Sequence, residues 1–432
     1  MPDTPTIAFT DEHLDNGLRL ILAEDHLAPV VAVNLWYDVG SKHEEPDKTG
    51  LAHLFEHMMF QGSRNVAKGE HFKFIEAAGG ALNASTWLHR TNYFESGPSA
   101  CLELFLWLEA DRMGGLLDAL GQETLDNQRD VVKNEKRQRY DDAPYGNWWP
   151  ALIERLFPHG HPYHHPTIGS MQDLDAATVD DCHAFFEHHY APNNAVLTLA
   201  GDFDPEQARA WVREYFGGIP ANMSLRPAPA VPNPAPLQGP VRDVLPDRVP
   251  LTRMFAGYRS PPAGTREADA IEVAAAILSL GGGASSKGTR LYRELVREKR
   301  LAQDVEFWTM EFETVSVAGG SATLRPGVAV EDLEAEFFGI VEGLAESITE
   351  DEIDRARAGL EHTIIRSRLL RASSRADWLS ECATMFGDPG RVNDRIPDLL
   401  SVGTAEVAEA ARNVFRPENR VEIVFVPEEA AK

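Results

Sequence analysis

Within Leu51–Gly62 the chain reads LAHLFEHMMFQG, and three side chains there can do chemistry together: His53, Glu56 and His57, spaced H-x-x-E-H. On a helix, positions 53 and 57 are one turn apart on one face, and position 56 lies beside them. Leu51, Leu54, Phe55, Met58 and Met59 fill the other side, so this helix is expected to be buried. Titratable groups on a buried helix are costly unless something pairs with them. Two imidazoles at i and i+4 suit a divalent metal, zinc above all. The carboxylate beside them could take a proton from a water that the metal activates. The plain alternative is a core helix whose histidines only form hydrogen bonds. The residue order, a known metallopeptidase signature, outweighs it.

A catalytic zinc needs three protein ligands and one open position, so a third ligand must come from elsewhere. The segment Asp126–Tyr140, DNQRDVVKNEKRQRY, is the best source. On a helix, Glu135 follows Val131 by four residues and Val132 by three, and would point where those apolar residues point. The competing reading is a surface glutamate paired with Lys136 or Arg139.

These residues need a scaffold. Gly17–Glu24 alternates like a strand, and Val30–Val39 is β-branched and aromatic, a second strand. Gly40–Lys48 reads as a polar loop, with Thr49 as N-cap of the opening helix. A helix at 69–78 ends on Gly79-Gly80. Strands at Ala81–Thr86 and Thr91–Ser96 follow, then helices at Pro98–Leu117, Gln122–Tyr140, Asn147–Phe157, Ala176–His188 and Pro205–Phe216, with a strand at Asn194–Ala200. From Pro220 to Pro240 there are seven prolines and almost no apolar periodicity, which predicts an extended linker.

Beyond the linker the element order repeats. Strands are expected at 241–245 and 252–258, helices at Ala268–Leu280 and Gly288–Glu298, strands at Gln303–Thr309 and Ser316–Leu324. Helices at 329–347, 349–369, 373–385 and 404–414 and a strand at 420–425 complete the half. The pattern predicts an α+β fold, two homologous α/β-roll domains of about 200 residues. The division is drawn at 1–218 for the metal-bearing domain, 219–240 for the linker and 241–432 for a sister domain without metal. The helix Ala268–Leu280, which corresponds to the H-x-x-E-H helix, has no histidine.

Bulk composition narrows the function. At about 150 residues per domain, 432 residues suggest two or three domains. Lys and Arg number 41 against 67 Asp and Glu, a formal charge of −26, so there is no basic stripe to hold nucleic acid and anionic membranes would repel the chain. Cys101, Cys182 and Cys382 are odd in number and far apart, as in a reduced compartment. No signal peptide and no run of ~20 apolar residues is visible. The expectation is a cytoplasmic protein.

HLFEH, the GG-x-x-NA-x-T stretch Gly79–Thr86, VVKNE, HPYHHPTIGS followed by YAPNNAVLTLAGDF, and GGGASSKGTRLYREL together resemble the M16 (pitrilysin, or inverzincin) metallopeptidase family. Similarity runs from about Leu14 to Val426, and is greatest to the shorter two-domain bacterial members related to mitochondrial processing peptidase. The resemblance implies one zinc per chain, held by His53, His57 and Glu135, with Glu56 as general base. It implies a closed chamber, formed with a second chain, that admits peptides or unfolded segments. It also implies that Ala81–Thr86 is an edge strand that pairs with substrate, with Asn83 and Ala84 facing it; strand addition reads backbone, so cleavage would tolerate many sequences.

Two departures stand out. Many members carry a glutamate seven residues before the third ligand; this chain has Gln128. The family's C-terminal half typically carries a substrate-binding Arg and a Tyr in a segment like R-E-K-R-G-L-A-Y. Here Arg297 is present, the glycine is missing, and Gln303 stands where the Tyr would be. The resemblance then points to a heterodimer in which a partner chain supplies the Arg/Tyr pair; a homodimer is the other arrangement. The rival reading is a silent scaffold subunit of the same fold, but such members usually lose zinc residues and this chain keeps all four.

Other motifs carry less. His159, His161, His164 and His165 sit among Pro and Gly, as in a rigid loop more than a metal tract. His183, His188 and His189 lie in or after a helix, where His near the C-terminus suits the dipole. Gly281-Gly282-Gly283 before Lys287 lacks the phosphate-loop pattern and reads as a turn opening a helix. There is no G-x-S-x-G elbow.

Overall fold

A computed structural model describes residues 4–280 and 285–428. In chain order the first half holds β1 (Thr10–His13), β2 (Arg19–Glu24), β3 (Val30–Tyr37), α1 (Leu51–Met58), α2 (Glu70–Ala77), β4 (Ala81–Thr86) and β5 (Thr91–Pro98). It continues with α3 (Leu102–Gly115), α4 (Gln122–Lys136), α5 (Trp148–Leu156), α6 (Met171–Ala176), α7 (Val179–His189), β6 (Ala195–Gly201) and α8 (Pro205–Phe216). The second half holds β7 (Val241–Asp247), β8 (Arg253–Ser260), α9 (Arg266–Leu278), β9 (Ala302–Met310) and β10 (Ser316–Leu324). Then come α10 (Val330–Glu342), α11 (Glu350–Ile364), α12 (Ala372–Phe386), α13 (Arg391–Ser401), α14 (Thr404–Val414) and β11 (Arg420–Pro427).

The fold is α+β and duplicated. One sheet runs β1-β2-β6-β3-β5-β4 and the other β7-β11-β8-β10-β9. Matched from the β4 and β9 edges, the two orders are the same, with β1 as an extra edge on the first. The parallel pairs correspond as well: β2 with β6, and β7 with β11. Inner strands are largely buried on both faces. Every residue of β6 and of β10 is buried, as in a sheet covered on both sides. The edge strand β4 is exposed or half-buried along its whole length.

The linear division drawn from sequence does not follow the compact units. One unit comprises residues 1–136, 165–230 and 365–394, and the other 137–164, 231–364 and 395–432. Each half sends one helix to the sheet of the other. In the first unit α12, from the second half, packs on β3 and β6; in the second unit α5, from the first half, packs on the equivalent β8 and β11. Polar anchors fix α12. Asp377 Oδ1 accepts from Asn34 Nδ2 and Trp36 Nε1, both at 3.2 Å, and Ser380 Oγ donates to Thr198 Oγ1 at 2.8 Å. Aromatic stacking fixes α5: the Trp148 and Phe255 rings lie 5.0 Å apart and nearly parallel. Two of the five changes of unit fall where α4 and α11 run into π-helical turns, Arg137–Asp141 and Ile365–Leu369. Residues 219–240 form no helix or strand, as the prolines predict.

Other differences are local. The expected helix Gly288–Glu298 is a π-helical segment, Tyr292–Glu298. Three elements escaped the sequence reading. β1 is short and exposed. The six residues of α6 are too few to show a period. In α13, Pro397 inside the helix reads as a breaker.

Candidate metal centre

α1 begins at Gly50, whose φ of +89° and whose closeness to Ile168 exclude a side chain: an added Cβ would lie 2.7 Å from the Ile168 carbonyl oxygen. The helix is capped from the preceding loop. Glu44 Oε2 accepts the Gly50 N–H at 2.9 Å, and Oε1 accepts the Ala52 N–H at 2.8 Å. Thr49, expected as the cap, does another job. Its hydroxyl donates to Asp173 and accepts the Ser170 N–H, joining α1 to α6. Burial pushes the Glu44 carboxyl up to about 8, against the two backbone N–H bonds.

Leu54, Phe55 and Met58 are almost wholly buried, and the Phe55 ring packs against Phe185 and Tyr190 on and after α7. Burying such a side chain contributes about 1.5–3 kcal/mol, which fixes the helix about its axis. The other face is thereby committed. The His53 and His57 rings meet edge to face, with centroids 4.8 Å apart. Glu135, in the last turn of α4, places Oε2 3.3 Å from His57 Nε2 and 3.7 Å from His53 Nε2. Val132 is buried while Val131 is 41% exposed, so Glu135 follows the direction of Val132 alone.

The three donors fit zinc. Their ligand atoms all lie within 4.8 Å of one another. In a tetrahedral site with bonds of about 2.0–2.2 Å, neighbouring ligand atoms are roughly 3.4 Å apart, close to the separations seen here. All three side chains keep some exposure, 14% for His53, 22% for His57 and 17% for Glu135, so the cluster opens to solvent on one side.

Glu56 is nearly buried, at 9% exposure, and its Oε2 accepts a hydrogen bond from Thr86 Oγ1 at 2.5 Å. Burial pushes its carboxyl above the usual range, and the Thr86 bond and the neighbouring His57 oppose that rise. Thr86 is the last residue of β4, the same edge strand that carries Asn83 and Ala84. Asn83 Oδ1 accepts the N–H of Ala84 at 2.9 Å, so a side chain occupies one backbone donor of this strand. Arg90 fastens the end of β4. Its Nη1 donates to the Ser85 carbonyl at 2.8 Å and to Asn92 Oδ1 at 2.9 Å, and its guanidinium lies over the Trp36 ring.

Not every residue singled out from sequence belongs to this cluster. Arg297 and Gln303 are exposed and lie in the other compact unit, on the π-helical segment and on β9. Arg300, near the missing glycine, has a φ of +55°. Gln128 is buried on α4 and donates to Asn127 Oδ1. Gly281-Gly282-Gly283 lie outside the described residues. The loop histidines have structural partners. His161 Nε2–H donates to the Pro232 carbonyl, and His164 Nδ1–H donates to that of Phe157.

Sequence reasoning missed Thr86 and Arg90 as parts of the site, although Thr86 closes the GG-x-x-NA-x-T stretch. It also missed a second cluster, His71, Glu95 and Glu109, whose ligand atoms likewise lie within 4.8 Å of one another. Its members come from α2, β5 and α3, and no local spacing joins them. Arg112 already bonds Glu109 there. Arg112 lowers the Glu109 carboxyl, burial raises Glu95 well above its usual range, and burial drives His71 down to about 3. One ion pair, one neutral acid and one neutral imidazole balance without a metal.

Comparison with known proteins gives the family. Residues 19–156 match the family described as Insulinase (Peptidase family M16), and residues 176–360 match the one described as Peptidase M16 inactive domain. The zinc protease PqqE of Helicobacter pylori is 28% identical over 96% of this chain and 92% of its own length. An uncharacterized zinc protease of Mycobacterium tuberculosis is 27% identical over 96% of this chain and 93% of its own. The crystal structure of a protease from Helicobacter pylori superposes with a TM-score of 0.89 at 27% identity, covering 98% of this chain and all of that one.

Proposed function

The chain belongs to peptidase family M16, and from that premise we propose that it is a zinc-dependent endopeptidase acting on peptides or unfolded segments. The observation that carries the reading is the convergence of His53, His57 and Glu135, with Glu56 held beside them and the open edge of β4 next to Glu56. His53, His57 and Glu135 would hold one zinc. When bound, zinc supplies Lewis acidity, polarising a carbonyl and making a water more acidic.

The chain's own residues do the rest. An extended peptide adds to the edge of β4, where Asn83 and Ala84 meet its backbone. The Asn83 side chain must release the Ala84 N–H to a carbonyl of the incoming strand. Glu56 takes the proton of the attacking water and passes it to the leaving amine. Its nearly buried setting keeps bulk water from competing for that proton.

Arg297 is retained on the second unit and Gln303 replaces the expected phenol. Loss of one oxyanion donor costs about 10²–10³ in rate. The reading therefore includes a partner chain that supplies the Arg/Tyr pair and closes a chamber around the substrate. A cytoplasmic location fits three buried free thiols and the lack, among described residues, of a helix long and apolar enough to cross a membrane.

The test is metal analysis together with cleavage of a quenched fluorescent peptide. Bound zinc, turnover, and loss of turnover in Glu56→Gln support the proposal. A zinc-loaded Glu56→Gln variant that cleaves as well as wild type overturns it. Full activity of the purified chain alone would remove the partner, and recovery from a periplasmic fraction would remove the cytoplasmic assignment.

A further inference from the structure

Glu56 needs more than proximity to act as a base. A glutamate carboxylate turns readily about its last bond, whose torsional profile is broad. Desolvated on a buried helix, it needs a donor to fix which oxygen faces the reacting water. One donor is placed for this. Thr86 Oγ1 lies 2.5 Å from Glu56 Oε2. Thr86 Oγ1 is also 3.5 Å from Thr91 Oγ1, but the Thr91 hydroxyl proton has its own acceptor in the Val39 carbonyl at 2.9 Å. An ionised carboxylate can only accept, so at 2.5 Å the Thr86 proton goes to Glu56. Oε2 is occupied and Oε1 is left for proton transfer.

Thr86 is itself held. It pairs with Thr91 in the β4–β5 ladder. Arg90 clamps its neighbour Ser85 through both the carbonyl and the hydroxyl. The strand expected to receive the substrate thus ends in the residue that orients the base.

We propose that Thr86 is a positioning residue for Glu56, linking the register of a peptide on β4 to the orientation of the general base. This rests on the peptidase reading given above and adds a residue to it. Thr86 need not touch substrate, so its loss should change the chemical step and leave binding alone.

Three proteins decide the matter: wild type, Thr86→Val, which keeps the shape and removes the hydroxyl, and Thr86→Ser, which keeps the hydroxyl. Each is assayed for zinc content, kcat and KM on the quenched peptide, and each is crystallised. Thr86→Val is expected to keep its zinc and to hold KM within about twofold of wild type, while kcat falls about 10–100-fold. In its crystals the Glu56 carboxylate should turn from its wild-type orientation. Thr86→Ser should recover kcat to within about threefold of wild type and restore that orientation. Wild-type kcat in Thr86→Val, an equal defect in Thr86→Ser, or an unmoved carboxylate in the valine variant overturns the proposal. If wild type shows no turnover even with a second chain that carries the Arg/Tyr pair, the peptidase reading fails, and the carboxylate orientation in the crystals still decides the role of Thr86.

Discussion

A single carboxylate oxygen of Glu135 faces both histidines, 3.3 Å from His57 Nε2 and 3.7 Å from His53 Nε2. Two helices distant in sequence, α1 and α4, therefore present their donors to one point. Removing any one donor leaves a pair that cannot hold zinc in a protein tetrahedron. Glu135→Ala and His57→Ala are each expected to weaken zinc affinity more than about 100-fold, beyond the loss typical of an outer-shell partner. Competition with a fluorescent chelator measures this, and wild-type affinity in either variant would exclude that residue as a ligand.

The cap on α1 should matter for both fold and metal. Glu44→Ala leaves the Gly50 and Ala52 N–H groups without their acceptors, and is expected to cost about 1–2 kcal/mol. The frayed first turn carries His53, so zinc affinity should fall along with the melting temperature. Glu44→Gln, which keeps one oxygen acceptor, should lose less than Glu44→Ala. Equal melting temperatures for wild type and Glu44→Ala would show that the cap contributes nothing.

Two buried groups should tilt the pH dependence of stability in opposite directions. His189 is held down to about 4, mainly by burial, with the charges of His188 and Arg226 adding to the effect and the His43 ring packed beside it. Its folded value lies below its unfolded value near 6.5, so the unfolded chain takes the proton first. Its contribution is intact above about pH 6.5 and is lost as pH falls towards 4. Relative to His189→Gln, wild type should lose about 2 kcal/mol between pH 7 and pH 5.

Glu422 is raised to about 8 by burial and by Glu334, against Arg242 and Arg420. Its contribution is intact below about pH 4.5 and is lost as pH rises through 8. Glu422→Gln should therefore gain on wild type as pH rises from 5 to 8. Urea titrations across this range read both slopes, and a flat difference for either variant would refute its assignment.

The exchange of α5 and α12 makes the sequence halves interdependent. A fragment of residues 1–218 lacks α12, and with it the partner of Asn34 and Trp36 on β3. A fragment of residues 241–432 lacks α5, and with it the Trp148 that stacks on Phe255. Neither fragment is expected to give a cooperative thermal transition alone, while the two refolded together should. A sharp, independent transition for 1–218 would contradict this.

Much of the molecule was legible in the chain because its signals are local. H-x-x-E-H is a helical spacing, and the apolar residues around it leave the histidines one face to occupy. The strand pattern of the two halves, written twice, carried the duplication. Thr49 misled because a residue of good capping type stood in a good capping place. Glu44 does the work instead, since the loop folds back and Gly50 needs a conformation that only glycine tolerates.

The sequence by itself determined the H-x-x-E-H spacing, the repeated sheets and the proline-rich connection, since each follows from residue type at short range. Only the tertiary structure decided which helix covers which sheet, that Thr86 bonds Glu56, and that His71, Glu95, Glu109 and Arg112 form a buried, charge-balanced cluster. Such contacts depend on where a strand ends and which way a buried face turns. Those outcomes are set by packing over the whole unit, and no short stretch of the chain encodes them.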